Sequence, residues 1–207
     1  MKYEFLCKNP DSKKLIVVFG GFASHPSHFS HLKSDKNVIL CYDYKNFDLN
    51  FDLNFDFKAF DELFLIAFSM GVCVANRLLK ELHFKQKIAI NGTNLGIDKL
   101  KGIHPTIFKK NLQNFKLKYF KEVLFEEHKS LAKDFIFKDE KSLKIELEKL
   151  FDFALIKQEE NLLWDKVYSS KEDEIFPPNA LKNSFKNLIF LDEPHFAFFH
   201  FKTWDEL

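Results

Sequence analysis

Leu63-Phe64-Leu65-Ile66-Ala67-Phe68-Ser69-Met70-Gly71-Val72 decides how the rest of the chain is read. An apolar run with strand character meets a serine boxed by small residues, and a helix-period segment follows at once. Strand, tight turn and helix around an exposed hydroxyl make a nucleophile elbow. The turn is so sharp that the positions two before and two after the serine must be small. Here they are Ala67 and Gly71, so the pattern is A-x-S-x-G with one extra methyl at its first position. Ser69 is then a candidate nucleophile, and the reaction class is hydrolysis or acyl transfer. The competing reading makes Ser69 a helix cap behind a buried strand.

Working outward, five more short apolar runs appear: Leu15–Phe19, Val38–Tyr42, Lys87–Ile90, Asp165–Ser169 and Asn187–Leu191. They are apolar throughout rather than alternating, which suits strands of a parallel sheet covered on both faces. Met70–Leu82 places Val74, Leu78 and Leu82 four apart and predicts a helix packed on that sheet. The class is therefore α/β, with a mostly parallel central sheet. Two regions break the alternation. Asn46–Phe57 repeats N-F-D-L and is expected to be an ordered loop or edge segment. Residues 103–163 hold no convincing strand, while Phe108, Leu112, Phe115 and Tyr119, then Leu143, Leu147, Leu150 and Ala154, step at helix spacing. A helical insertion at this point would lie over the carboxyl ends of the strands as a lid. The domain expectation is a core of residues 1–102 and 164–207 with a lid of 103–163.

With 207 residues and 46% apolar content the chain can bury one sizeable core. A net charge of +1 argues against bulk attraction to nucleic acid or membrane. Cys7, Cys41 and Cys73 are too few and scattered for a disulfide framework or a thiolate metal site. No run nears the roughly 20 apolar residues of a membrane span. Nothing at the start resembles a signal peptide. A soluble cytoplasmic protein is expected, as a monomer.

A serine nucleophile needs a base, a group that orients the base, and donors for the oxyanion. His195 follows the last apolar run directly, in Leu191-Asp192-Glu193-Pro194-His195, and is favoured as base; His200 is the alternative. Asp173, in a polar turn before Ile175-Phe176-Pro177, is the favoured acid, with Glu172, Glu174 and Asp165 as rivals. The backbone N–H groups of Met70 and Phe22 are the candidate oxyanion hole, because Gly20-Gly21 lets the chain turn after its strand. Three of the six glycines fall in these two motifs, which favours catalysis over a simple helix cap. His25, His28 and His31 are expected in a solvated loop rather than as metal ligands, and neither metal nor cofactor is expected. Lys99–Lys121 carries seven lysines and no acid. Lys109 and Lys116, seven apart, would share a helix face, giving the lid a basic patch that attracts an acidic partner.

These motifs resemble the pimeloyl-acyl-carrier-protein methyl ester esterases of biotin synthesis, of the BioG type. The likeness rests on Phe19-Gly20-Gly21-Phe22-Ala23-Ser24-His25-Pro26, on the elbow, on Asn91-Gly92-Thr93 with Gly102-Ile103, and on Pro194-His195-Phe196-Ala197-Phe198. It implies a trimmed α/β-hydrolase fold with a helical lid. It implies a serine esterase that cleaves the methyl ester of a pimeloyl chain tethered to acyl carrier protein. Ser69, Asp173 and His195 match the family's triad, and Lys109, Lys110, Lys116, Lys118 and Lys121 match its carrier-binding region. The other functional readings are an esterase or thioesterase for small esters without a carrier, and a non-catalytic binding module.

Overall fold

The computed structural model describes residues 1–47, 57–79, 81–157, 159 and 161–207. The repeat between Asn46 and Phe57 lies almost wholly outside them. Seven strands, β1 (Lys2–Cys7), β2 (Lys14–Phe19), β3 (Asn37–Tyr42), β4 (Glu62–Phe68), β5 (Gln86–Ile90), β6 (Lys166–Ser170) and β7 (Ile189–Leu191), form one sheet. Its order is β1-β3-β2-β4-β5-β6-β7; β1 is antiparallel to β3 and every other pairing is parallel. All six predicted apolar runs became strands. The seventh, β1, was not anticipated. Tyr3, Phe5, Leu6 and Cys7 are no more than half-buried there, so an edge strand leaves a weak apolar signal.

The central strands bury both faces, as continuous apolar runs require. Leu15, Val17, Phe19, Leu65 and Ala67 face a core shared with α1 (Met70–Leu78) and α4 (Glu140–Leu155). Ile16, Val18, Ile66 and Phe68 face the opposite core. That second face is covered by short 3-10 turns at 26–29, 197–200 and 204–206, joined by Leu124 and Phe125 from the end of a nine-residue helix. Aromatic bodies fill the space: Phe29 meets Phe198 edge-on at 4.9 Å and Trp204 at 5.6 Å, and Phe68 meets Phe198 at 5.2 Å. A chain with 27 phenylalanines thereby covers a sheet face with little helix.

Residues 103–163 lie between β5 and β6 and include α2 (Pro105–Gln113), α3 (Leu117–Phe125) and α4. Leu143, Leu147, Leu150 and Ala154 are all buried, as their spacing predicts. The earlier stripe is divided. Asn114 closes α2, Phe115 turns inward and is buried, and Tyr119 is 66% exposed. Glu140 caps the new helix by accepting the N–H of Leu117 at 3.1 Å. Lys109 and Lys116 therefore stand on different elements and do not share one helix face. The helix after Ser69 likewise stops at Leu78, short of Leu82. Among the described residues no helix is long and apolar enough to cross a membrane.

Candidate active site

Loops leaving the carboxyl ends of β2, β4, β6 and β7 carry the candidate residues, the edge where open parallel sheets hold their ligands. Ser69 sits between β4 and α1 with φ 55° and ψ −128°, a left-handed conformation rare for a residue with a side chain. Its own N–H donates to Ile90 O at 2.9 Å, fixing the turn against β5. Gly71 is obligatory here. A Cβ at that position would lie 2.3 Å from Gly20 O and 2.4 Å from Phe19 O.

Three buried side chains meet at this edge. His195 Nε2 lies 2.9 Å from Ser69 Oγ, and His195 Nδ1 lies 2.7 Å from Asp173 Oδ2. Asp173 Oδ1 accepts the N–H groups of Ile175 at 2.9 Å and Phe176 at 2.7 Å, which locks the carboxylate. With Asp173 Oδ2 accepting from Nδ1–H, Nε2 is left as the acceptor for the serine hydroxyl. The rivals are placed differently, although Glu174 also lines the space above Ser69. His200 is half-exposed and faces Glu193 at 3.3 Å, and Asp165 accepts the N–H of Lys87 at 2.7 Å. Glu172 and Glu174 are exposed beside Asp173.

Asn91, marked in the sequence only by the family likeness, and Ser170, which the sequence did not mark, set the histidine loop. Asn91 Nδ2 donates to His195 O and to Ser170 Oγ, each at 2.8 Å, and Asn91 Oδ1 accepts Ser170 N–H at 2.7 Å. Ser170 Oγ donates to Pro194 O at 3.0 Å. Asn91 and Ser170 both stand at the ends of central strands, and nothing local in the sequence ties either of them to the histidine. The N–H of Phe196 donates to Leu124 O of α3 at 3.0 Å, tying the same loop to the insertion.

The Gly20-Gly21-Phe22 loop presses against the serine: a Cβ on Gly21 would lie 2.9 Å from Ser69 Cβ. Met70 opens α1, so its N–H has no acceptor within the helix. The ring of Phe22 packs edge-on against Phe115 at 5.4 Å and Phe120 at 5.1 Å, both from the insertion. Above Ser69 opens a cavity of about 340 Å³, within the range of small-ligand clefts. Its walls include Phe22, Ile103, Phe108, Phe115, Phe120 and Leu147, while Asn111, Asn114, Lys116 and Tyr119 bring polar groups to it.

His28 departs from the solvated loop expected of it. It is buried against Phe135 and Phe137, with Nε2 2.8 Å from Ile136 O, and burial pushes its pKa down to about 3. A neutral ring is therefore a packing element that donates one hydrogen bond. Lys109, Lys110, Lys116 and Lys118 are exposed; Lys121 is half-buried, its ammonium 5.1 Å from the Phe137 ring. Lys116 also pairs with Glu140 at 3.7 Å. Beside α3, Lys118, Lys121, Lys129 and Lys133 line a second surface groove.

Comparison with known proteins gives a consistent result. The crystal structure of BioG from Haemophilus influenzae superposes with a TM-score of 0.90 at 27% identity, covering 100% of this chain and 99% of that one. A lipase-esterase related protein from Clostridium acetobutylicum, 20% identical with a TM-score of 0.66 over 95% and 93% of the two chains, shares the α/β-hydrolase fold. A malonyl-[acyl-carrier protein] O-methyltransferase of Bacteroides fragilis is 31% identical over 186 residues, 82% of this chain but only 36% of that longer protein. The family described as pimeloyl-ACP methyl esterase BioG matches residues 1–207, end to end. A match over that length, with the solved BioG fold reproduced in full, makes this chain a member of the pimeloyl-ACP methyl esterase BioG family.

Proposed function

We propose that Ser69, His195 and Asp173 hydrolyse the methyl ester of pimeloyl-acyl carrier protein through an acyl-serine intermediate. The observation that carries this is the unbroken chain from Ser69 Oγ to His195 at 2.9 Å and on to Asp173 at 2.7 Å. Family membership supplies the substrate. Ser69 Oγ bonds to the ester carbonyl carbon while His195 Nε2 takes its proton. The N–H groups of Phe22 and Met70 hold the resulting oxyanion. The bond to the methoxy oxygen then breaks, and His195 returns the proton to it, releasing methanol. Water attacks the acyl-serine, giving a proton to His195, which passes it to Ser69 Oγ as the acid is freed. Asp173 keeps Nδ1–H oriented and stabilises the imidazolium.

In this reading residues 103–163 act as a lid, and the acyl chain lies in the apolar cavity beneath them. The lysines around α2 and α3 meet the acidic carrier, with Lys129 and Lys133 extending the patch. Purified protein incubated with methyl-pimeloyl carrier protein should release methanol in proportion to substrate consumed. No methanol from folded protein would sink the reading. Charge reversal at Lys109, Lys110 and Lys118 should lower kcat/KM for the carrier-bound ester at least ~10-fold relative to a free p-nitrophenyl ester, with a flatter salt dependence. An unchanged ratio would remove the carrier from the proposal and leave a small-ester esterase.

A further inference from the structure

Glu146 lies mid-way along α4 and is 1% exposed, an unusual place for a carboxylate. Its neighbours on the inward stripe are Leu143, Leu147 and Leu150. Burying a charge among them is costly unless hydrogen bonds compensate. The carboxylate accepts the N–H of Tyr44 at 3.3 Å, and the backbone N–H of Ala23 lies near enough to favour its charged form. Tyr44 and Ala23 belong to loops at the carboxyl edge of the sheet, after β3 and β2. Ala23 directly follows Phe22 and has φ 62°. At the other end of that loop, Gly20 O accepts the buried Tyr44 hydroxyl at 2.7 Å. The segment is thus held at Gly20 by Tyr44, which Glu146 holds in turn, and the Glu146 carboxylate faces its other end at Ala23. Two further links bind α4 and the chain before it to the same region: Lys45 Nζ donates to Ser142 Oγ at 2.6 Å, and Lys138 pairs with Asp43.

We propose that Glu146 is a positioning residue for the reaction: it fixes the Gly20–Ala23 loop so that the Phe22 N–H meets the oxyanion beside Ser69. The inference rests on the roles given above to Ser69 and Phe22. It makes α4 part of the apparatus that sets the oxyanion site, not only a wall of the cavity. The charged and titratable groups facing Glu146 are Asp43, Lys138 and Tyr44. Burial raises the carboxyl to about 7; Asp43 adds to the rise, while the two N–H groups and Lys138 oppose it. The charged acceptor is therefore present above about pH 7 and lost as pH falls below it. A carboxylate accepts the Tyr44 N–H, and attracts the Ala23 N–H, more strongly than a neutral acid or amide does.

The test compares wild type with Glu146→Gln on p-nitrophenyl butyrate, with rates per active site from fluorophosphonate titration. At pH 8 Glu146→Gln should lose ~10-fold in kcat with KM within about two-fold, since a displaced oxyanion donor acts on the transition state. At pH 6 the deficit should shrink, because the wild-type carboxyl is then protonated too. Wild-type kcat in the variant, a deficit constant with pH, or a change confined to KM overturns the inference. If Glu146→Gln does not accumulate as soluble protein, Tyr44→Phe tests the other hold on the loop. It should show the same loss of kcat at unchanged KM, and an unchanged kcat overturns the inference. A wild-type enzyme that is itself inactive counts against the proposed function instead.

Discussion

Ser69→Ala is expected to lower kcat for carrier-bound methyl ester by about 10⁶-fold, to the level of the empty scaffold. Among the described residues the buried hydroxyls of Ser170 and Tyr44 are engaged elsewhere. Ser170 Oγ is occupied by Pro194 O and Asn91, and the hydroxyl of Tyr44 by Gly20 O. The fold should barely notice the change. Ser69 makes no side-chain cap to α1, so the loss is its bond to His195, worth about 1 kcal/mol. A chain of this size should then melt within about 2–4 °C of wild type. Asp173→Asn is the companion, with a loss of about 10⁴-fold. Its amide can satisfy Ile175 and Phe176 N–H or orient the ring, but with an NH₂ facing Nδ1 it selects the wrong tautomer. His200→Ala, at a half-exposed ring paired with Glu193, is the matched control. The measurement is methanol release together with a thermal melt. Residual activity above about 1% in a folded Ser69→Ala sample would transfer the chemistry to another group.

Much of this site was legible before any coordinates because it is built from strand ends. Apolar runs such as Leu15–Phe19 and Leu63–Phe68 can only be strands buried on both faces, and the residues that leave them must gather at one edge. That placement is what makes Ser69, Asp173 and His195 candidates, and the structure brings these three side chains together while Asp165 and His200 face Lys87 and Glu193. The overlooked parts have no local signature. β1 is an edge strand with half-buried side chains, so its alternation is faint. Phe115 looks like the next member of the stripe begun by Phe108 and Leu112, but a ring drawn into the cavity against Phe22 ends the helix. Glu146 stands in Glu140-Lys141-Ser142-Leu143-Lys144-Ile145-Glu146-Leu147-Glu148-Lys149, where any acid reads as solvated. Only the tertiary approach of Ala23 and Tyr44 sets it apart from Glu148. The 27 phenylalanines carry no periodic signal, because aromatic packing on the second sheet face follows no period.

The second large effect is structural. Gly71→Ala should abolish accumulation of folded protein, whereas Ala67→Gly, at the other small position of the same elbow, should cost only about 1 kcal/mol. The two positions seem equivalent in the motif but meet different neighbours. A methyl on Gly71 would collide with Gly20 O and Phe19 O at 2.3 and 2.4 Å, and both are backbone atoms. Phe19 is fixed by pairing with Cys41 on β3 and Ala67 on β4, and the N–H of Gly20 donates to Cys41 O at 3.0 Å. Relieving the clash means withdrawing the end of β2 from the centre of the sheet, a loss of the same order as the roughly 5–15 kcal/mol that holds a domain folded. Ala67 sits in β4 between Phe19 and Ala89, where its methyl is buried in the core and displaces nothing. This is why the elbow tolerates alanine where glycine is usual. Soluble yield and circular-dichroism melting of the two variants, expressed side by side, measure the asymmetry. A Gly71→Ala protein that purifies and melts like wild type would mean that α1 can shift off β2, and the close approach of the two elements would then have no part in shaping the serine turn.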